Sequence, residues 1–401
     1  MTSLNERFLV LFCFLSLLSG VCPVFPRTST QNVRIPIGVF YYAWYNGTGS
    51  GNCPDKGQWN GSQGWAVEDA PLIGFYNSCV PSVVHTQLSE MNTLGINLIV
   101  VSWWGMRPYD LAQQAPVDEA VRTLYSVANA SFPNIKIAIM VEGFNESGTY
   151  DFPYIKSYIY SNFYSAYPNE MFYLKDSARP LLCWWNAKNM TGPDEAPNWT
   201  NINAIHNDAT FENKILGQSS SYVDWYAWTL CSANSSETPF INTNDGVVVI
   251  EPRYDGSNIG QGAGSTFDLT YSERLYDRQW SYVLNNTEKI ECVLIYSWNE
   301  YHERSQIEPC NQTLDQSYDP YYCYRKTLNY INLYQSTLCD LNHDLRVDMN
   351  DIASAAVCFG LRAGDPKWNP RADVTGDGVV DIRDIVAIAR AFVLPFKTLE
   401  N

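Results

Sequence analysis

The sequence predicts an α/β protein, a (β/α)8 TIM-type barrel followed by a small all-α calcium-binding module. Three observations predict it. Apolar strand-like runs alternate with helical segments over about 300 residues. Polar and aromatic residues collect where the strand-like runs end, and an acidic loop pattern occurs twice near the C-terminus. The chain has 401 residues, which is long enough for both parts.

The N-terminal segment has the pattern of an export signal. Arg7 provides a positive charge, residues 8–18 form an apolar stretch, and small residues precede Pro23. A retained membrane anchor is the alternative, but Gly20 and Pro23 interrupt a stretch that only borders on spanning length. We therefore predict a signal peptide over residues 1–25, a secreted or cell-surface protein, and no membrane span after cleavage.

Composition narrows the class of partner. The net charge is −16, which repels phosphate backbones and disfavours nucleic acid. No CxxC pair occurs, so zinc and thioredoxin-like redox sites are not indicated. In an oxidising compartment, the local pairs Cys53–Cys79 and Cys310–Cys323 are candidate disulfides. Several N-x-[ST] sequons fit an exported glycoprotein.

The barrel is predicted from its elements, which we place within residues 33–335. Short apolar runs predict strands at residues 34–42, 96–104, 135–141, 180–185, 215–218, 225–229, 246–250 and 292–297. Helices are predicted at residues 83–94, 117–130, 152–167, 272–284 and 322–334. This alternation indicates parallel βα units, and about eight strands favour a closed barrel over a doubly wound sheet. No glycine-rich dinucleotide fingerprint follows the first strand, which disfavours a Rossmann-type sheet.

Aromatic and polar side chains stand at the predicted strand ends, which share one face of a barrel. Flat rings stack on the apolar faces of sugars, and carboxylates and amides bind their hydroxyls. We therefore predict a carbohydrate cleft at this face. Its expected substrate-binding residues are Tyr42, Trp44, Trp103, Trp104, Glu142, Glu251, Tyr254, Trp298, Asn299 and His302.

The duplicated acidic loops predict calcium binding. Oxygen ligands at positions 1, 3, 5 and 12, with a backbone carbonyl at position 7, are how a twelve-residue loop wraps Ca²⁺. In the first loop these positions are Asp340, Asn342, Asp344, Asp351 and, through its carbonyl, Arg346. In the second loop they are Asp373, Thr375, Asp377, Asp384 and, through its carbonyl, Val379. A pair of acidic surface turns is the alternative.

This duplicated segment, residues 338–396, resembles a dockerin type I module. The resemblance rests on Asp rather than Glu at position 12 and on a helix that comes only after each loop. It implies Ca²⁺ as a cofactor of this module, with none for catalysis, and a cohesin-type scaffold or surface protein as a partner. Leu345 stands where the first loop would carry its turn glycine, so we expect weaker calcium binding there.

The strongest chemical signal is the string SWNEYHERSQIEP, residues 297–309, directly after the last predicted strand. Glycosidic cleavage commonly needs two carboxyl groups, one of which delivers a proton to the leaving oxygen. If the segment turns helically, Glu300 and Glu303 lie on the same face. Their shared site would raise the pKa of one of them. A helix start with two exposed glutamates is the alternative.

The string resembles the signature of glycoside hydrolase family 99, the endo-α-mannosidase family, which runs much like S-W-N-E-W-H-E-x-x-Q-I-E. GVFYYAWY, VSWWG and YLKDSARPLL support the resemblance over residues 34–335. It implies a retaining, endo-α-mannosidase-like hydrolase that acts through an anhydro-sugar intermediate. Glu300 would be the base on the sugar 2-hydroxyl, and Glu303 the general acid/base. Tyr301 replaces a Trp and Arg304 replaces a Gly, and the family's paired histidines have no evident counterpart, which leaves the substrate open.

Two other functions remain open from the sequence. One is a non-catalytic glycan-binding or cell-surface assembly protein on the same barrel, which the intact glutamate pair disfavours. The other is a hydrolase of a different linkage, because fold does not fix function.

Overall fold

The computed structural model describes most of the barrel and the C-terminal module. The described residues are 35–45, 59, 67, 69–105, 117–142, 152–174, 177–185, 205, 207–217, 224–226, 245–255, 269–312, 318–344 and 346–392. The predicted signal peptide lies outside them. Within these ranges, no helix combines the length and the apolar character that crossing a membrane requires.

Eight parallel strands make one curled sheet. The strands are β1 (Ile37–Tyr42), β3 (Leu98–Trp103), β4 (Lys136–Val141), β5 (Leu181–Trp185), β6 (Glu212–Gly217), β7 (Trp225–Tyr226), β8 (Val247–Ile250) and β9 (Cys292–Ile295). Their order is β7-β6-β5-β4-β3-β1-β9-β8, and every pairing is parallel. Two further short strands, β2 (Ala70–Pro71) and β10 (Cys310–Asn311), pair antiparallel outside this sheet.

Five helices of the described part follow or cover the strands: α1 (Pro81–Leu94), α2 (Val117–Ser131), α3 (Phe152–Ile159), α4 (Leu269–Leu284) and α5 (Tyr322–Cys339). Two more, α6 (Met349–Val357) and α7 (Ile382–Ala391), belong to the C-terminal segment. A single π-helical turn, Tyr160–Tyr164, follows α3, so the helix predicted over residues 152–167 ends earlier as an α-helix. The α/β, TIM-like architecture predicted from the alternation is confirmed.

The central strands are buried along their whole length. All six residues of β1 and of β3 are buried, as expected for parallel strands that are covered on both faces. Gly38 lies where β1 passes between its two neighbours. A Cβ atom there would lie 2.7 Å from Leu294 Cδ2 and 3.0 Å from Leu98 Cγ. Only glycine therefore fits this position without moving its neighbours.

The two edge strands of the sheet approach each other but do not pair. No hydrogen-bonded ladder joins β7 to β8 among the described residues, although their Cα atoms come within 8 Å. Asp245 bridges this gap, because its Oδ2 accepts a hydrogen bond from Trp225 Nε1 at 3.0 Å and lies 2.9 Å from Lys214 Nζ. Side-chain contacts of Asp245 thus join the two edges of the curled sheet without a backbone ladder.

The C-terminal segment forms a small helical unit with its own apolar core. Helices α6 and α7 pack together around Ile352, Ala355, Val380 and Ile388. Each helix begins with the same capping box. Asp348 and Asp381 are the N-caps, and the third helical residue of each, Asp351 or Asp384, accepts from the N-cap backbone N–H. The duplication seen in the sequence is therefore also a duplication of local structure.

Helix α5 belongs to both cores. Its residues Tyr330, Ile331 and Tyr334 are buried in the barrel core, whereas Cys339 at its end is buried in the core of the C-terminal unit. The helix also packs against α7. The boundary that the sequence predicts near residues 335–338 therefore falls inside one continuous helix.

The predicted disulfides have different outcomes. Cys310 and Cys323 both carry free thiols in the structure, so a bridge between them is not formed. The Cys310 Sγ accepts hydrogen bonds from the amides of Gln306 and Gln312 instead. The other predicted bridge, Cys53–Cys79, stays a prediction, because Cys53 lies outside the described residues.

Candidate active site

The segment after β9 folds back on itself instead of forming a helical turn. Ser297 N–H donates to Ser305 O at 3.1 Å, and Ile307 N–H donates to Ser297 O at 3.0 Å. The reversal occurs at Arg304, whose φ of 52° lies in the left-handed region. These hydrogen bonds across the loop decide its path, so the condition of a helical turn, under which Glu300 and Glu303 would share one face, is not met. Glu300 and Glu303 both lie in the reversing part of this hairpin-like loop.

Glu300 is buried and held by its neighbours in the loop. Its N–H donates to Ser297 Oγ at 2.8 Å, and its Oε1 accepts from the His302 N–H at 3.0 Å. His302 Nδ1 lies 3.0 Å from the same oxygen. The His302 ring in turn lies 5.6 Å from the Trp44 ring, centroid to centroid. These contacts fix the direction of the Glu300 carboxylate.

Glu303 receives a hydrogen bond from the Tyr296 hydroxyl. Tyr42 donates in turn to the Tyr296 oxygen at 3.1 Å. Burial raises the pKa of Glu303 well above its usual range, and the negative charges of Glu300 and then Glu251 raise it further, whereas the Tyr296 hydroxyl opposes the rise. The surroundings of Glu303 therefore favour its protonated form.

Two more carboxylates lie at the ends of neighbouring strands. Glu142, after β4, shares a hydrogen bond with the Ser102 side chain, and burial followed by the charge of Glu300 raises its pKa to about 8. Among the described residues, its Oε1 has no hydrogen-bond partner. Glu251, after β8, is held by a side-chain amide, since Gln279 Oε1 accepts from its N–H at 2.6 Å and Gln279 Nε2 donates to its carbonyl at 2.9 Å.

The raised pKa of Glu142 gives a prediction about stability. In the unfolded chain this carboxyl loses its proton near pH 4.5, whereas in the folded protein it does so near pH 8. Between about pH 4.5 and pH 8 the folded protein therefore holds a proton on Glu142 that the unfolded chain has lost. The stability of the folded protein falls as the pH rises through this range. We expect Glu142→Gln to raise the free energy of unfolding at pH 8 by at least about 1 kcal/mol relative to its effect at pH 4.5.

Urea unfolding of both proteins at the two pH values would measure this difference. Glu119→Gln on the exposed face of α2 is the matched control and should give no such pH dependence. An equal effect of Glu142→Gln at both pH values would contradict the prediction.

Aromatic rings border the carboxylates. The Trp44 ring lies 4.7 Å from Tyr42 and 5.7 Å from Trp104, measured between centroids. Trp104 is partly exposed, and its Nε1 donates to Ser102 Oγ at 2.9 Å. Tyr254 is also partly exposed, and burial together with the nearby charge of Glu303 raises its pKa. Rings that are partly exposed beside buried carboxylates suit the binding of a sugar.

Three of the predicted substrate-binding residues have no solvent-accessible side chain. Trp103 is fully buried against the helices, where its Nε1 donates to Asp118 Oδ1 at 3.0 Å. Asn299 accepts from the Tyr42 N–H at 2.8 Å and donates to the Tyr42 carbonyl at 2.9 Å. Trp298 is fully buried in the core. The geometry gives these three residues a supporting role.

Two groups that the sequence did not single out belong to the site. Tyr296 contacts Glu303 directly, and Ser102 contacts both Glu142 and Trp104. Ser102 lies on β3, two residues before Trp104, which directly follows the strand, so the two side chains point to the same side. This spacing of two residues could therefore have identified Ser102 from the sequence. Tyr296 immediately precedes the string of residues 297–309, but its hydrogen bond to Glu303 depends on the folded loop.

Behind the site lies a buried polar layer. Glu308 accepts hydrogen bonds from Gln87 Nε2 at 2.7 Å, Tyr301 OH at 2.9 Å and Tyr76 OH at 3.0 Å. Burial raises the pKa of Glu308 to about 7 although these three donors oppose the rise. Asn299 Nδ2 also donates to the Tyr76 hydroxyl. The layer therefore connects helix α1 to the loop that carries Glu300 and Glu303.

An ion pair fixes the reversal of the loop that carries Glu300 and Glu303. Arg304 Nη2 lies 2.8 Å from Asp69 Oδ1, and its Nε donates to Asp69 Oδ2 at 3.3 Å. Gln306 Nε2 donates to the same carboxylate at 2.9 Å. Both charged side chains are essentially inaccessible to solvent. This pair holds the residue that directly follows Glu303.

The acidic loops of the C-terminal unit use their carboxylates internally. Asp351 accepts from the Leu341 N–H at 2.7 Å, and Asp384 accepts from the Thr375 N–H and hydroxyl, each at 2.9 Å. Asn342 Oδ1 accepts from the Asp344 N–H at 3.0 Å. Within the described ranges, no three His, Cys, Asp or Glu side chains converge as a metal site. The predicted ligand positions of the two loops nonetheless offer only oxygen atoms, which are the ligands that Ca²⁺ prefers.

Comparison with known proteins gives structural neighbours only. No family model and no curated protein matches this sequence. A solved structure of the GH99 endo-α-mannosidase from Bacteroides thetaiotaomicron, in complex with bis-tris-propane, aligns with a TM-score of 0.54 at 17% identity. A second structure of the GH99 endo-α-mannosidase from this organism gives 0.52 at 16% identity, and each alignment covers 75% of this chain and 98% of the other. The barrel has a family 99-like fold. At this level of identity the likeness concerns the fold alone.

Proposed function

We propose that this protein is a secreted glycoside hydrolase that cleaves O-glycosidic bonds within a glycan or polysaccharide in a retaining, endo-α-mannosidase-like manner. One observation carries the proposal. A Glu303 carboxyl whose surroundings raise its pKa and a Glu300 oriented by His302 lie together among partly exposed rings at the strand ends of a family 99-like barrel. That arrangement supplies an acid, a base and a sugar-stacking surface in one place.

The mechanism follows from the two roles. Glu303 gives its proton to the leaving glycosidic oxygen while Glu300 takes the proton of the sugar 2-hydroxyl. The 2-oxygen attacks the anomeric carbon as the bond to the leaving group breaks, which forms an anhydro sugar. Water then opens this ring at the anomeric carbon. Glu303 removes a proton from the water, and Glu300 returns its proton to the 2-oxygen. Two inversions at one carbon give net retention.

A panel of substrates tests the proposed activity. Purified protein would be incubated with α-mannans and yeast-type glycans, and the products would be analysed for size and for anomeric configuration by NMR. We expect internal cleavage and products that first appear with the configuration of the substrate. A Glu300→Gln/Glu303→Gln double variant controls for contaminating activity. Binding of a glycan without hydrolysis would favour a non-catalytic glycan-binding protein on this barrel.

We further propose that residues 338–396 are a dockerin-type module that binds Ca²⁺ and a cohesin-type partner. The repeated capping boxes at Asp348 and Asp381 support an internally duplicated module. A crevice of about 230 Å³ separates it from the barrel and is lined by Ile35 and Glu291 on one side and Arg371 on the other. Ile35 and Glu291 precede β1 and β9, so the module adjoins the face opposite the carboxylates. A bound partner would leave the cleft open.

Calcium binding is testable on the full-length protein. We expect calorimetric titration to show Ca²⁺ binding and chelator to lower the unfolding temperature of the module, because loop carboxylates repel one another until a cation joins them. Asp384→Ala should weaken binding more than Asp351→Ala, since the first loop carries Leu345 in place of its turn glycine. Equal losses, or no binding by the native protein, would contradict the prediction.

A further inference from the structure

Tyr296 occupies one oxygen of the Glu303 carboxyl. Its hydroxyl donates to Glu303 Oε2, and Tyr42 donates to the Tyr296 oxygen at 3.1 Å. A tyrosine hydroxyl has a single proton, so accepting from Tyr42 leaves that proton for Glu303. Both rings are almost completely buried and meet edge to face at 6.2 Å, which holds the hydroxyls in place. The hydrogen bonds therefore run in one direction, from Tyr42 to Tyr296 and from Tyr296 to Glu303.

We propose that Tyr296 is the positioning residue of the general acid, because its hydroxyl holds Glu303 Oε2 and leaves Oε1 as the oxygen that delivers the proton. The inference rests on the proposed function and names a group that acts through Glu303 instead of touching the sugar. A carboxyl group carries its proton on one oxygen at a time. With Oε2 engaged as an acceptor, the proton resides on Oε1.

The same contact changes in strength during the reaction. As the proton leaves Oε1 for the glycosidic oxygen, negative charge develops on the Glu303 carboxylate. A hydrogen bond to a charged acceptor is stronger than one to a neutral acceptor, so Tyr296 stabilises the transition state more than the ground state. The other carboxylates that face Glu303 are Glu300, Glu251 and Glu142, which all disfavour this charge, whereas Tyr254 stays neutral because the charge of Glu303 raises its pKa. Tyr296 offsets them.

Tyr296→Phe tests the proposal, because it removes the hydroxyl and keeps the ring. We expect kcat on a substrate with a poor leaving group to fall by about 10- to 100-fold, with KM nearly unchanged. The pKa of Glu303 should rise, so the alkaline limb of the pH–rate profile should move to higher pH. A glycosyl fluoride, which needs little protonation, should react at nearly the native rate.

Tyr276→Phe is the matched control. Tyr276 is equally buried, and its hydroxyl lies 3.0 Å from Thr327 Oγ1 in the helix layer. It should share any loss of thermal stability with Tyr296→Phe but keep the native pH profile. A native alkaline limb in Tyr296→Phe, or an equal loss on the glycosyl fluoride, would overturn the proposal.

A measurement without turnover separates this proposal from the proposed function. Glutamate labelled with ¹³C at the side-chain carboxyl gives an NMR titration, in which Glu303→Gln identifies the Glu303 signal by its loss. A higher midpoint for Glu303 in Tyr296→Phe supports the contact, even if the native protein hydrolyses no glycan and the proposed function fails. An unchanged midpoint overturns the role of Tyr296, whatever the protein hydrolyses.

Discussion

Glu303→Gln should lower the rate of hydrolysis of a substrate with a poor leaving group by about 10²- to 10⁴-fold, which is the usual contribution of a general acid. The substitution preserves the shape of the side chain but removes the proton. A glycosyl fluoride should be spared, because fluoride leaves without strong acid assistance. Steady-state kinetics on the two substrates would measure the contrast, and Glu119→Gln on the exposed face of α2 should leave both rates unchanged.

Glu300→Gln should behave differently from Glu303→Gln. The sugar 2-hydroxyl must be deprotonated whichever group leaves, so both substrates should be slowed. A substrate that lacks this hydroxyl should not be hydrolysed even by the native protein. Near-native rates for both variants on a good substrate would refute the assignment, and Glu142 and Glu251 would then be the next residues to replace.

The second large effect concerns stability. Asp69→Asn should lower the free energy of unfolding of the barrel by about 3 kcal/mol, because it removes the partner of a guanidinium that has no access to water. The next carboxylate oxygen, Asp255 Oδ2, lies 3.9 Å from Arg304 Nη1 and is a weaker partner. Urea unfolding, followed by the fluorescence of the core tryptophans, would measure the change.

A surface pair provides the control for Asp69→Asn. Asp319 pairs with Arg325, and both side chains are well exposed, so Asp319→Asn should cost less than about 1 kcal/mol. Similar losses for the two variants would show that burial of the Asp69–Arg304 pair does not matter. Arg304→Gly should also be destabilising. Glycine relieves the left-handed φ at that position, but the buried Asp69 then loses the cation at 2.8 Å and keeps the more distant Arg253, at 3.9 Å.

The elements of the barrel could be predicted because their signals are local. Residues 96–104 form a continuous apolar run, and the structure has a buried strand over Leu98–Trp103. Residues 117–130 show a helical period, and the helix spans Val117–Ser131. Strand ends followed by aromatic and acidic residues likewise indicated the face where Glu142, Glu251 and the catalytic string now lie.

The interior of the site could not be predicted in the same way. The spacing of Glu300 and Glu303 suggested a helical turn, but the path of the loop depends on Asp69, which lies more than 200 positions away along the chain. The contact between Tyr296 and Glu303 depends on that same path. Trp103 and Trp104 were both expected in the cleft, although successive residues of a strand point to opposite faces. Of the two, only Trp104 lies at the cleft, and Trp103 is buried against the helices.

Helix α5 has a consequence for how the two parts of the protein can be handled. A chain cut at residue 335 would lose the buried Ser336 and the last turn of a helix whose middle packs in the barrel core. A chain begun at residue 338 would leave Cys339 as an exposed end of the other core. One continuous helix joins the two parts instead of a flexible linker. We therefore expect the cleft to keep a fixed orientation relative to any surface that binds the C-terminal unit.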